Sequence, residues 1–252
     1  MFMFKSYNGE IMSGMMYTKQ EPEKIYACCN KVIRVLGFIS LILIVFGLTW
    51  GMIYAPEDRI QGNGYRIIYL HVPAAILSVI IYIFMAFCAV LNMACGIRLF
   101  SWLASSAMLT GMVSTIIALV TGAIWGKPMW GTWWVWDARL TSELILLFLY
   151  ISIIALNNSF NYQRNGEKIV NIFIIIGLIN IPIIHYSVDW WNTLHQGATD
   201  LHETIDISMR VPLRITIAGF FVLFITLTLM QLKNVILQAE INKYWVYKHV
   251  IK

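Results

Sequence analysis

The sequence predicts an all-α fold: a polytopic transmembrane helical bundle of six spans, with both termini cytoplasmic. Three observations predict it. Hydrophobic residues make up 59% of the 252-residue chain and charged residues only 12%, at a mean hydropathy of +0.71, whereas a soluble domain carries about 25% charged residues. So few charges leave too little polar side chain to cover a water-facing surface. The apolar residues also fall into long uncharged runs, among them that from Leu99 to Gly126, and about 20 apolar residues suffice for a helix to cross hydrocarbon. Lastly, Lys and Arg divide unequally between the connections, which orients the spans.

Taken in order, residues 1–34 are polar and Met-rich and lack an apolar core followed by a small-residue cleavage site, so they read as a cytoplasmic leader. Six spans follow: Val35–Tyr54, Pro73–Met93, Ala104–Trp125, Leu140–Leu156, Ile169–Tyr186 and Ile215–Leu232. Pro73 opens the second, because a first-turn proline loses no hydrogen bond. The fourth is the shortest and carries Glu143 near its start. Residues 233–252 form a cytoplasmic tail. With no internal repeat and short linkers, 35–232 reads as one domain, including a Trp-rich loop at 126–142 and a His-bearing loop at 187–213.

Six spans put both termini on one side. With that side inside, the inner segments hold Lys5, Lys19, Lys24, Lys31, Arg34, Arg98, Arg164, Lys168, Lys233, Lys243, Lys248 and Lys252. The outer segments hold Arg59, Arg66, Lys127, Arg139, Arg210 and Arg214. Twelve against six makes the termini cytoplasmic. The net charge of +5 comes from residues scattered at segment ends, not from a patch that would bind nucleic acid. Cys28, Cys29, Cys88 and Cys95 form no C-x-x-C pair, which leaves disulfide, zinc, thioredoxin-like and covalent c-type haem readings unsupported.

The outer face concentrates the chemistry. "WGTWWVWDARLT" from Trp130 places four of the ten tryptophans within seven positions. In a helix, Trp130, Trp133, Trp134 and Asp137 would share one face while Trp136 points elsewhere. An interfacial aromatic belt is the plainer explanation, but a belt spreads its rings around the perimeter. Stacked in one loop with Gly131, Asp137 and Arg139, they suit a platform for a flat, largely apolar ligand. Four of the five histidines (His71, His185, His195 and His202) lie on or beside the same face. His71 stands two residues before Pro73, at the outer mouth of the second span, and His195 follows Trp190 and Trp191 in the outer loop. Two imidazoles from separate connections beside an aromatic platform point to bis-His coordination of the metal of a planar ligand, and histidine is a common axial ligand of haem iron. His185 could instead cap the fifth span, and His202, beside Asp200, Glu203 and Asp206, suits a solvated role. A bare zinc or copper site has neither an H-x-x-x-H nor an H-E-x-x-H pattern behind it. Glu143 is the only strongly charged residue well inside a span, which argues against a secondary transporter, and no Walker motif is present.

Together "WGTWWVWDARLT", "HVPAA" from His71 and "WWNTLHQGAT" from Trp190 resemble the haem exporter protein C type (CcmC) of cytochrome c maturation, a family with a tryptophan-rich haem-handling motif. The resemblance covers nearly the whole chain apart from the leader. It implies a multi-pass protein of the bacterial inner membrane that holds haem b transiently and non-covalently at its periplasmic side. It also implies delivery of that haem to a periplasmic haem chaperone (CcmE type), with ABC transporter subunits (CcmA and CcmB types) and a small membrane subunit (CcmD type). The same resemblance makes His71 and His195 the axial ligands, and Trp130, Trp133, Trp134, Trp136 and Asp137 the haem-contacting platform. Gly131, Trp190 and Trp191 complete the binding surface, and Arg139 suits a haem propionate through its fork. The expected role is handling and transport, not catalysis. A cytochrome c haem lyase, a haem-free scaffold using its tryptophans as docking hot spots, and a haem channel are the alternatives.

Overall fold

Single residues set where the helices begin and end. The computed structural model describes residues 21–160, 164–191, 193–195 and 205–250. Pro22, at a position where its missing N–H leaves no carbonyl wanting, opens α1 (Pro22–Thr49), which runs on as a π turn over Trp50–Tyr54. A 3-10 turn at Asn63–Ile67 feeds directly into α2 (Ile68–Cys95). Gly96 at φ 70° and Gly131 at φ 77° terminate α2 and α3 (Arg98–Trp130). A side chain is disfavoured in that left-handed conformation. Asp137 caps α4 (Ala138–Ser159), and Asp206 caps α7 (Ile207–Ala239). Between them lie α5 (Arg164–Gly177) and α6 (Asn180–Trp190), and α8 (Tyr244–Val250) follows α7.

Among the described residues six helical stretches are long and apolar enough to cross a membrane, as the hydropathy pattern predicts, and they run beyond the apolar limits at both ends in most cases. Hydropathy marks only the stretch that suits lipid, whereas a helix continues into the interface until a cap or a glycine stops it. The fifth stretch departs more: it is interrupted at Leu178–Ile179. Pro182 cannot donate to the Leu178 carbonyl and its ring crowds that group. Leu178, Ile179 and Ile181 instead make tighter i→i−3 bonds. The Ile174 carbonyl released by this change accepts from the Tyr82 hydroxyl at 3.2 Å.

The packing centres on the α2–α3 pair, with α1 and α7 on one flank and α4, α5 and α6 on the other. Its core includes Leu77, Ile81, Tyr82, Met85, Met108, Leu146, Tyr150 and Ile174. Without a hydrophobic drive between helices in lipid, small residues admit close backbone approach. A Cβ on Gly47 would lie 2.9 Å from the Thr216 backbone nitrogen, and one on Gly219 would lie 2.9 Å from that of Ile44. The outward face of α1 leaves Phe38, Leu41, Val45 and Phe46 exposed, as suits lipid contact. A second cluster joins Cys29, Trp102, Leu232 and Ile236, so the start of α1, the start of α3 and the end of α7 share one end of the bundle. Arg98 grips the buried Glu167 carboxylate there through Nε (3.1 Å) and Nη2 (2.5 Å). At the other end Ala55, Tyr65, Tyr69 and Leu213 pack together, and His71 stands beside them.

Gly111 of α3 tests the packing. Its missing side chain makes room for the buried Tyr150 ring, whose hydroxyl donates to the Ser78 carbonyl at 2.8 Å. Gly111→Ala gains up to about 1 kcal/mol of helix propensity but overpacks a ring that is pinned at both ends, at a cost of about 1–3 kcal/mol. The apparent unfolding temperature in detergent should fall. An unchanged or higher value would contradict the close contact.

Candidate functional site

His71 lies within α2, three residues after its first, and not at a pre-helical mouth: the 3-10 turn starts the helix ahead of Pro73, which sits inside it. Arg66 anchors that turn. Its Nη1 donates to the Gly51 carbonyl (2.8 Å) and its Nη2 to that of Ala55 (2.7 Å), satisfying acceptors that the end of α1 leaves open. The Tyr69 ring occupies the place of a Gly51 side chain, and its hydroxyl donates to the Met209 carbonyl of α7 at 3.2 Å. The backbone leading into His71 is therefore held by two neighbouring elements.

The His71 ring turns toward α3. Its Nδ1 lies 3.1 Å from the Ala118 carbonyl and 3.0 Å from Thr121 Oγ1. A carbonyl only accepts, so the proton is on Nδ1. The Thr121 hydroxyl donates to the Ile117 carbonyl at 2.5 Å, so its oxygen too serves His71 as an acceptor. Nε2 then carries the lone pair. Gly122 allows the ring this close, since a Cβ there would stand 3.3 Å from His71 Cε1. A bond that fixes one ring nitrogen and presents the other is how proteins orient metal-binding imidazoles.

His195 arrives from the connection after α6. Its ring centroid is 6.4 Å from that of His71, with the planes 37° apart. Its backbone N–H donates to Thr193 Oγ1 at 3.0 Å. The Thr193 hydroxyl donates to Asp137 Oδ2, while Asp137 Oδ1 accepts from the Leu140 N–H at 2.8 Å. Thr193 was not singled out by the sequence, although a threonine two residues before a backbone donor is a recognisable local turn motif.

The tryptophan stretch is not helical, so the shared-face reading does not hold. Gly131 ends α3 and residues 131–137 form a connection that Asp137 closes as the next N-cap. Trp130 packs over Gly126 and meets Trp125 edge-on at 5.2 Å, and Trp125 Nε1 donates to Gln61 at 2.9 Å. Trp134 and Trp136 form another edge-on pair at 5.5 Å. Trp133 is 56% exposed and Trp136 78%, whereas the Trp134 Nε1 is buried with no acceptor among the described residues. Trp190 stacks on Tyr186 at 5.2 Å and meets Trp191 edge-on, on an exposed side of α6. Arg139 reaches the Ile184 carbonyl at 3.5 Å.

His185 sits within α6, exposed and against Tyr186, and caps nothing. His202 falls outside the described residues. Among the described residues no three His, Cys, Asp or Glu side chains converge as a set of metal donors. Deeper in the bundle the Ser78 hydroxyl lies 2.8 Å from Glu143 Oε1, which gives that intramembrane carboxylate a donor.

The family described as CcmC, heme exporter protein C, matches residues 15–247. The chain belongs to the heme exporter protein C family. It is 50% identical to the "Heme exporter protein C" of Escherichia coli strain K12 over 231 residues, spanning 92% of this chain and 94% of that protein. The protein of the same name from Haemophilus influenzae is 47% identical over 90% of this chain and 93% of its own length. That from Bradyrhizobium diazoefficiens is 36% identical over 88% and 85%. In this member of the heme exporter protein C family, the α2–α3 contact decides which nitrogen of the His71 ring keeps its lone pair. With ¹⁵N-labelled histidine, NMR should find the His71 proton on Nδ1, and Thr121→Val should keep it there because the Ala118 carbonyl remains. A proton on Nε2 would contradict the geometry.

Proposed function

We propose that the chain holds haem b, non-covalently and as cargo, between His71 and His195, and passes it to a soluble partner. The 6.4 Å separation of the two imidazole centroids carries this reading. Metal–imidazole nitrogen bonds run about 2.0–2.1 Å, so two rings on opposite sides of one metal stand with centroids about 6–6.5 Å apart once each ring's own radius is added. The residues present therefore fit an iron between them. His71 supplies Nε2 by the tautomer argument above, and membership of a family of heme exporters supports the choice of metal complex.

The surrounding side chains suit the rest of a porphyrin. Trp133 and Trp136 present exposed planar rings, and aromatic pairs add roughly 0.5–1.5 kcal/mol beyond burial. Trp134 Nε1 is a buried donor that a carboxylate would satisfy. Arg139 reaches the Ile184 carbonyl at 3.5 Å, and its planar fork matches a propionate. Trp130 supports the platform from below through Trp125 and Gly126, and Gly131 supplies the turn that starts it. Trp190 and Trp191, on the α6 side, suit the interface or the partner's approach.

The charge asymmetry of the sequence supports a periplasmic site in the bacterial inner membrane. From there haem passes to a periplasmic chaperone of the CcmE type. ABC subunits of the CcmA and CcmB types and a CcmD-type small subunit complete the assembly in this reading. An open edge is required for transfer, which accounts for aromatic surface left exposed. Detergent-purified protein loaded with haem should give a six-coordinate low-spin absorption spectrum that His71→Ala and His195→Ala each abolish. Wild-type spectra from both variants would overturn the assignment.

A further inference from the structure

Asp137 stands at the end of the tryptophan-rich connection, where a role in touching the porphyrin would be the natural assignment. Its two oxygens are already committed elsewhere. Oδ1 accepts from the Leu140 N–H and caps α4. Oδ2 accepts from Thr193, 56 positions away. Thr193 has one hydroxyl proton, and the directions of its bonds follow from its partners. The His195 backbone N–H can only donate, so it takes a lone pair of Thr193 Oγ1 at 3.0 Å. An ionised carboxylate only accepts, so the hydroxyl proton points to Asp137. The chain of donors runs one way, from His195 through Thr193 to Asp137.

We propose that Asp137 and Thr193 form a latch that sets His195 in its ligating position, so that Asp137 acts on the haem iron through His195. The inference rests on the haem-binding reading above. His71 needs no such device, because it is built into α2 and held against the α3 backbone at Ala118. His195 lies in residues 193–195, outside any helix. A metal–ligand bond tolerates only about ±0.2 Å, and helical packing does not provide that tolerance there. The latch ties this segment to the first turn of α4, a rigid element that also closes the tryptophan connection. A charge-assisted hydrogen bond is well suited to the task, being roughly twice as strong as a neutral one. Opening it withdraws one axial ligand while His71 keeps the other. That converts a two-ligand hold into a one-ligand hold without disturbing the bundle, which is the asymmetry a donor of haem needs.

Three variants separate the latch from the helix cap. Thr193→Val is nearly isosteric and removes the hydroxyl. Thr193→Ser keeps it. Asp137→Ser retains an N-cap oxygen, since serine caps helices about as well as aspartate, but has no second oxygen to reach Thr193. In the haem-free protein, hydrogen–deuterium exchange at the His195 amide should quicken roughly tenfold to a hundredfold in Thr193→Val and Asp137→Ser, the loss expected of one hydrogen bond to a charged group. Thr193→Ser should match the wild type. With haem added, the two latch-less variants should shift from six- to five-coordinate, and free imidazole should restore the six-coordinate spectrum. Thr193→Val and Asp137→Ser proteins with wild-type exchange and wild-type spectra would overturn the latch. A wild type that never shows a two-imidazole spectrum would overturn the haem-binding reading instead, and the exchange comparison alone then decides whether the tie exists.

Discussion

One imidazole pressed against the backbone of a neighbouring helix organises the histidine end of this bundle. His71 gives up Nδ1 to α3 and thereby presents Nε2. The contact exists only because α2 and α3 run close together along their length, with Ala74, Ala107 and Ala118 buried along it. Gly122 leaves the ring its room. Below, the Tyr150 ring fills the gap at Gly111 and ties α4 to the Ser78 carbonyl of α2. Interiors packed to this density do not deform gradually, so the ring inherits the stiffness of the core. A preorganised donor of that kind spends little of its binding energy on being ordered.

Around this fixed point the aromatic side chains divide by task. Trp125 and Trp130 pack with Gln61 and Gly126 and brace the end of α3 against the 55–67 connection. Trp133 and Trp136 face outward. Tyr186 and Trp190, stacked on the open side of α6, have the arrangement of an interfacial anchor. The belt and platform explanations of the tryptophans are therefore not rivals for the whole set. In the haem-binding proposal they apply to different residues.

The six spans are legible in the sequence because lipid imposes one simple demand on every crossing segment, that its apolar run be long enough. Helix limits are not, because caps and glycines outside the apolar run decide them. The break in the fifth span was foreshadowed by Pro182, whose effect falls four residues earlier, at Leu178. Convergence of His71 and His195 on one end could be read from topology alone. The geometry of the tryptophan stretch could not be read from helical spacing, since Gly131 and Asp137 are stop and start signals that cut across it. Thr193 escaped notice for a different reason. Its importance arises from a partner 56 positions away, and no local pattern announces such a pairing.

The most direct measurement is pulsed electron paramagnetic resonance on the ferric haem-loaded protein, prepared with ¹⁵N-labelled and unlabelled histidine. Two imidazoles meeting at one iron give a low-spin signal with two strongly coupled histidine nitrogens, both of which change on labelling. A high-spin signal, or a single coupled histidine nitrogen, would mean that the proximity of the two rings does not serve to grip an iron.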